Sequence, residues 1–135
     1  ISNDFIFNGD GIMFSGDGRI VIKSNSYIGG NSRLSSNKNY KIYIGKNCSI
    51  SHNVRIYTST YVSNTDFNKI KYKRPLKNGS VEIADGVWIG LNVVILPGVK
   101  IGKNSIVGAN SVVAKDIPEN SIVSGIPAMV FRKKC

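Results

Sequence analysis

The sequence predicts an all-β fold, a parallel β-solenoid wound as a three-sided coil and built as a single domain over residues 1–135. Three observations predict it. Over residues 83–128 an aliphatic residue returns at every sixth position: Ile83, Ile89, Ile95, Ile101, Val107 and Val113. The fifth position of each unit is apolar or small as well: Val87, Val93, Val99, Ser105, Ser111 and Ile117. Gly or Asn fills the fourth position at Asn92, Gly98, Asn104 and Asn110, and Gly takes the second at Gly90, Gly102 and Gly108.

A helix does not fit this pattern. Six is not a multiple of 3.6, so the aliphatic residues would spiral around a helix instead of forming a stripe. Gly, Asn and β-branched residues at this density also oppose helix. Short strands do fit. The fifth residue of one unit and the first of the next are two apart, so both point to one side of a strand. Gly and Asn turn the corner that follows, because they tolerate positive φ. Three such units close one turn of a triangular prism, and successive turns stack their aliphatic residues inside.

Taken in order, residues 1–19 ("ISNDFIFNGDGIMFSGDGR") are Gly-rich and loosely periodic, which suits an irregular first coil. Ile22, Ile28 and Leu34 then keep the period, as do Ile44, Ile50 and Ile56. "IGKN" opens the units at both Ile44 and Ile101. The step from Leu34 to Ile44 is ten residues where two units would take twelve, so a short corner is expected near "NKNYK". Residues 62–80 ("VSNTDFNKIKYKRPLKNGS") hold no hexad and are expected to leave the prism as an excursion loop. A loop of that length in a compact domain is usually functional. It carries Lys69, Lys71, Lys73, Arg74 and Lys77. After Pro127 the frame is lost, and residues 127–135 are expected to cap the end.

The formal net charge is +10. Excess positive charge favours anionic partners, and its bland counterpart is solubility. With no nucleic-acid motif and no basic amphipathic helix, a small phosphorylated ligand ranks above DNA or RNA. No apolar run approaches the length of a membrane span, so no integral membrane segment is expected. Cys48 and Cys135 make neither a disulfide framework nor a metal pair, which suits a reducing cytoplasm. Cys48 falls at a fifth position, so it is expected inside the prism. The chain begins at Ile1, so it can be a fragment.

The segment "VWIGLNVVILPGVKIGKNSIVGANSVVAKDIPENSIVSGIPAMVFRKK" resembles the C-terminal half of hexapeptide-repeat O-acetyltransferases. The similar branches are the galactoside, maltose and nodulation acetyltransferases and the capsule or lipopolysaccharide sugar acetyltransferases. The resemblance covers about the last two-thirds of the chain. It implies a left-handed parallel β-helix, a homotrimer, and acetyl-coenzyme A bound between neighbouring prisms. It implies a bacterial-type cytoplasmic enzyme moving an acetyl group to a sugar or glycan hydroxyl, with no metal. N-acetylation of an amino sugar is the near alternative, and an inactive trimeric binding protein is another.

On matching positions the resemblance assigns Trp88 of "VWIG" to the thioester end of the cofactor, where it also borders the acceptor. Leu91 and Ala109 then line the pantetheine path. Lys115 of "VVAKDI" and Arg132 after "IPAMVF" stand where cations meet the cofactor's phosphates. Each has a plainer reading: a surface aromatic over a strand for Trp88, solvated charges for Lys115 and Arg132.

The chemistry implied needs a base, because a sugar hydroxyl is too weak an acid to react unaided. In the galactoside and maltose members that base is a histidine just before the excursion loop. In "IYTSTYV" the matching residue here is Tyr61. An acceptor-side Asn of those members falls at Arg33. The one histidine of the chain, His52, takes the third position of its hexad, an outward corner. It reads either as the catalytic base of a rearranged site or as an ordinary corner residue. Tyr61 is the second candidate base or an acceptor-binding group, and Arg74 is a candidate for an anionic acceptor. A zinc anhydrase prism would need three imidazoles on the metal, and an ice-binding solenoid would need stacked Thr arrays.

Overall fold

A computed structural model describes residues 1 and 3–135. The chain winds as a three-sided coil of short parallel strands. Coil one is β1 (Ile6–Asn8), β2 (Met13–Ser15) and β3 (Arg19–Ile22), and coil two is β4 (Tyr27–Gly29), β5 (Arg33–Ser35) and β6 (Lys41–Ile44). Coil three opens with β7 (Ser49–Ile50) and β8 (Arg55–Tyr57). The chain then leaves the prism through β9 (Ser59–Tyr61), a 3-10 turn over Lys71–Lys73 and β10 (Leu76–Asn78), and re-enters at β11 (Val81–Ile83). Coil four is β12 (Trp88–Ile89), β13 (Val94–Ile95) and β14 (Lys100–Ile101). Coil five has β15 (Ile106–Val107) and β16 (Val112–Val113), and the chain ends with β17 (Ser121–Gly125) and β18 (Ala128–Lys133).

Strands stack face by face. The first face runs β1-β4-β7-β12-β15-β17-β18, the second β2-β5-β8-β13-β16 and the third β3-β6-β11-β14. Between consecutive coils the register sets each buried aliphatic on the next. Ile28, Ile50, Ile89, Val107 and Val123 form the ridge of the first face. Leu34, Ile56, Ile95 and Val113 form that of the second. Ile22, Ile44, Ile83, Ile101 and Ile117 form that of the third. All are buried. Each contributes roughly 1.5–3 kcal/mol, and stacking joins them along one axis. Fifth-position residues fill the corners from inside: Cys48, Val54, Val87, Val93, Val99, Ser105 and Ser111 are buried too.

The corners turn where Asn and Gly were expected to turn them. Asn92, Asn104 and Asn110 have φ of 58°, 58° and 62°, and Gly98 has 84°. Asparagines on one edge also bond in columns, as in Asn53 to Asn92 at 2.7 Å and Asn92 to Asn110 at 3.0 Å.

Four expectations need correction. The corner near "NKNYK" is long, not short. Leu34 and Ile44 occupy the adjacent second and third faces, so their ten-residue step is one unit of six enlarged at residues 36–40. Ile117 is not a fifth-position residue; it bridges Ile101 on the third face, which makes the last coil tighter. The first coil is in parallel register with the second on all three faces, so its irregularity lies in side chains. Phe7 packs there against both Phe5 and Phe14. Ser2 lies outside the described residues. The excursion starts at Ser59 rather than Val62, and its base is an antiparallel ribbon pairing Tyr61 with Leu76 and Ser59 with Asn78. The C-terminal cap is a strand too: β18 folds back antiparallel on β17.

Candidate functional site

Three edges separate the three faces, and they divide the expected site residues. The edge between the first and second faces holds Gly30, His52, Leu91 and Ala109 in consecutive coils. Its backbone ladder fixes that order: Asn53 N–H donates to Gly30 O at 2.9 Å, Asn92 to His52 O at 3.1 Å and Asn110 to Leu91 O at 2.8 Å. Leu91 is 45% exposed and Ala109 is exposed as well. Gly90 lets these coils close up, because a Cβ there would lie 2.8 Å from the Ala109 nitrogen. Trp88 points outward from β12 on the adjoining first face and is 52% exposed. Its outward row continues with Ser49 below and Ile106 and Ile122 above. Trp88, Leu91 and Ala109 thus lie exposed on the first face and its edge.

His52 belongs to the same edge, one coil below Leu91, but its ring is committed. The Gly30 backbone N–H donates to its Nδ1 at 2.7 Å. The ring folds down onto Gly29 and Gly30, where a Cβ on Gly29 would lie 2.8 Å from Nδ1. A backbone N–H can only donate, so Nδ1 presents its lone pair and the neutral ring carries its proton on Nε2. A base must offer a free lone pair to the acceptor's proton. The only lone pair of the neutral imidazole is engaged by Gly30, so in this geometry His52 staples the corner, and service as the base would require that bond to open.

Tyr61 and Arg74 sit elsewhere. Both belong to the excursion, which projects from the edge between the second and third faces. The Arg74 guanidinium lies 4.9 Å from the Phe67 ring centre and 5.8 Å from that of Tyr61. Tyr61 and Phe67 meet edge-to-face at 5.2 Å. Arg74 also donates from Nε to Lys69 O at 3.0 Å and from Nη2 to Phe67 O at 2.7 Å. These contacts hold the arm folded on itself. Phe67 was missed in the sequence; its signal was an aromatic residue between Tyr61 and Arg74 in a segment without period. Lys115 lies on this same edge, exposed beyond β16, and Arg132 is exposed on β18 opposite Ile122. Arg33 points outward on the second face in register with Met13 and Arg55.

In a three-sided prism the first face lies opposite the edge between the other two. One copy of the chain therefore sets Trp88 facing away from Tyr61, Arg74 and Lys115. The outward rows differ in character as well. In the upper coils the first face shows Trp88, Ile106 and Ile122 and the second shows Val94 and Val112, whereas the third shows Glu82 and Lys100. Among the described residues no group of His, Cys, Asp and Glu could hold a metal ion, and no helix is long and apolar enough to cross a membrane.

A hexad-built prism with exposed apolar residues beside an Asn-lined edge defines a class, and comparisons with known proteins agree. The pattern of the family described as "Bacterial transferase hexapeptide (six repeats)" matches residues 80–115. A galactoside O-acetyltransferase of Lactococcus lactis is 44% identical over 68% of this chain and 43% of its own length. A galactoside O-acetyltransferase of Escherichia coli is 36% identical over 90% of this chain and 58% of its own. The crystal structure of a hexapeptide-repeat-containing acetyltransferase from Vibrio cholerae, complexed with acetyl-coenzyme A, superposes with a TM-score of 0.74. It is 30% identical, over 91% of this chain and 70% of that one. The chain belongs to the hexapeptide-repeat acetyltransferase family, and its fold is a parallel β-helix of stacked hexads. It spans about half the length of the curated relatives it matches.

Proposed function

We propose that this chain is the catalytic prism of an acetyl-CoA-dependent sugar O-acetyltransferase acting in the cytoplasm on a sugar or glycan, such as a surface-polysaccharide precursor. The observation that carries the reading is the exposure of Trp88, Leu91 and Ala109 on the first face and its edge, in a chain whose relatives are named galactoside O-acetyltransferases. That surface suits the pantetheine arm of coenzyme A, a narrow chain with both apolar and amide groups. Lys115 and Arg132 supply cations for its phosphates. Because Lys115 stands on the far edge of the same copy, the cofactor cleft lies between copies, one contributing Trp88 and the next Lys115. The apolar outward rows of the first and second faces support a closed heterologous ring, and a homotrimer is the ring proposed here. Acceptor contacts fall to Trp88, Tyr61 and Arg74, the last two brought by the neighbour's arm.

In the reaction a base takes the acceptor hydroxyl's proton as its oxygen attacks the thioester carbonyl carbon, the carbon–sulfur bond breaks, and the proton passes to the leaving thiol; with the lone pair of His52 held by Gly30, Tyr61 is the second candidate for that base. A second reading, N-acetylation of an amino sugar, is favoured by one observation: the Gly30 bond occupies the lone pair of His52. A neutral amine brings its own lone pair and needs no base to begin the attack, whereas a hydroxyl does. Thiol release from acetyl-CoA, measured against a panel of galactosides and amino sugars, tests both. Turnover with a sugar that falls at least tenfold in Trp88→Ala supports transfer. Binding of a glycan without any thiol release would leave a binding prism in its place.

A further inference from the structure

The enlarged corner of coil two has no part in the cofactor surface, and it builds a cavity of its own. A space of about 490 Å³ opens between the turn at Asp17 and Gly18, the turn at Lys38, Asn39 and Tyr40, and Ser80. Arg19 and Lys41 line it from paired positions on β3 and β6. Adjacent parallel strands lie about 4.8 Å apart, so Arg19 and Lys41 leave neighbouring points of one outward row, the Lys41 ammonium also lying 5.9 Å from the Tyr43 ring centre. Lys38 joins them from the corner itself. Asp17 is the one carboxylate of the lining, so three cations face one acid there.

The backbone explains how these three residues come to line one space. Residues 36–40 are the extra turn, closed by Tyr40 N–H on Asn37 O at 3.0 Å and by Asn39 at φ 72°. The turn is anchored to the coil below by Arg19 N–H on Tyr40 O at 3.0 Å, and to the coil above by Lys41 N–H on Ser80 Oγ at 3.0 Å. Ser80 follows Lys41 in the column and is too small to cover it. A cavity walled by hydrogen-bonded turns with cationic side chains at its rim is suited to an oxyanion.

We infer that Arg19, Lys38 and Lys41 form an anion subsite that holds a phosphate or carboxylate of the acceptor. Ser80 directly follows the excursion arm, so an acceptor held here reaches toward Tyr61 and Arg74 along one edge. What carries the anion rests on the sugar-acceptor reading; the subsite itself does not. Its source is either the diphosphate of a nucleotide sugar or the carboxylate of an acidic glycan.

Calorimetric titration of the purified protein with inorganic pyrophosphate tests it, with uridine diphosphate and a uronic-acid disaccharide as separate arms. The double variant Arg19→Ala/Lys38→Ala is expected to weaken pyrophosphate binding about tenfold or more, and Lys100→Ala, outside the cavity, to leave it unchanged. A preference for the diphosphate or for the disaccharide assigns the source. Equal affinity in wild type and double variant, no binding by either, or displacement of pyrophosphate by acetyl-CoA overturns the subsite. Acetyl-CoA affinity is measured in the same samples. Its absence in wild type sinks the transferase reading and leaves the anion result standing.

Discussion

The backbone N–H of Gly30 donates to Nδ1 of His52 across 2.7 Å, tying the corner of one coil to the corner below it. His52→Ala removes that acceptor and leaves a partly buried donor unpaired. The expected cost is about 1 kcal/mol of stability, read from urea denaturation. Turnover is expected to stay within a few-fold of wild type. Loss of a general base would instead lower it by roughly a hundredfold or more, and that result would restore His52 to catalysis.

Asn92 holds φ at 58° while its amide bonds with Asn53 and Asn110. Asn92→Gly keeps the left-handed turn and loses the amide bonds, whereas Asn92→Ala loses both. The alanine variant is expected to be less stable than the glycine variant by about 1 kcal/mol, the penalty of a Cβ in that conformation. Equal denaturation midpoints would show that the side-chain column, not the turn, sets the preference for Asn.

The coil itself was legible because a hexad is a local rule: one inward aliphatic and one corner residue per unit, repeated. The frames from Ile22 to Leu34, Ile44 to Ile56 and Ile83 to Val113 all appear as stacked ridges. The corner at residues 36–40 was misread because a step of ten admits two parses, and only pairing across coils chooses between them. Trp88, Leu91 and Ala109 were singled out through motif resemblance, and the structure leaves all three exposed on the first face and its edge. The commitment of His52 was not, since a bond to Gly30 depends on the stacking of coils and leaves no trace in spacing. Tyr61 and Arg74 were singled out separately, and their joint packing on Phe67 comes from the hairpin fold of an arm without period.

Burial pushes the Cys48 thiol above its ordinary value of 9.0, with Asp85 adding to the rise and hydrogen bonds from Val87, Ser26 and Gly86 opposing it. A raised folded value means the native state holds its proton more tightly than the unfolded chain. Stability is then full below the unfolded pKa and falls as pH rises above about 9, once the unfolded thiol ionises. Denaturation midpoints measured from neutral pH upward are expected to show this decline, and Cys48→Ala to flatten it. In the native protein a thiol reagent should modify exposed Cys135 at once and Cys48 only as the coil opens. Rapid modification of both would place Cys48 outside the core.

Trp88 and Arg74 occupy opposite sides of one prism, so a site that needs both must draw them from two copies. Trp88→Ala and Arg74→Ala are each expected to lower acetyl transfer when assayed alone. Mixed, partly unfolded together and reassembled, they are expected, if the proposed ring holds, to give rings in which some interfaces join the intact Trp88 of one variant to the intact arm of the other. In a randomly mixed heterologous ring about a quarter of the interfaces carry both wild-type halves. Activity should therefore recover to about a quarter of the wild-type level, and the double variant mixed with itself should recover none. If each site were built within one copy, every site in the mixture would still carry a defect. Recovery no greater than the average of the separate variants would then show that a single prism completes its own site.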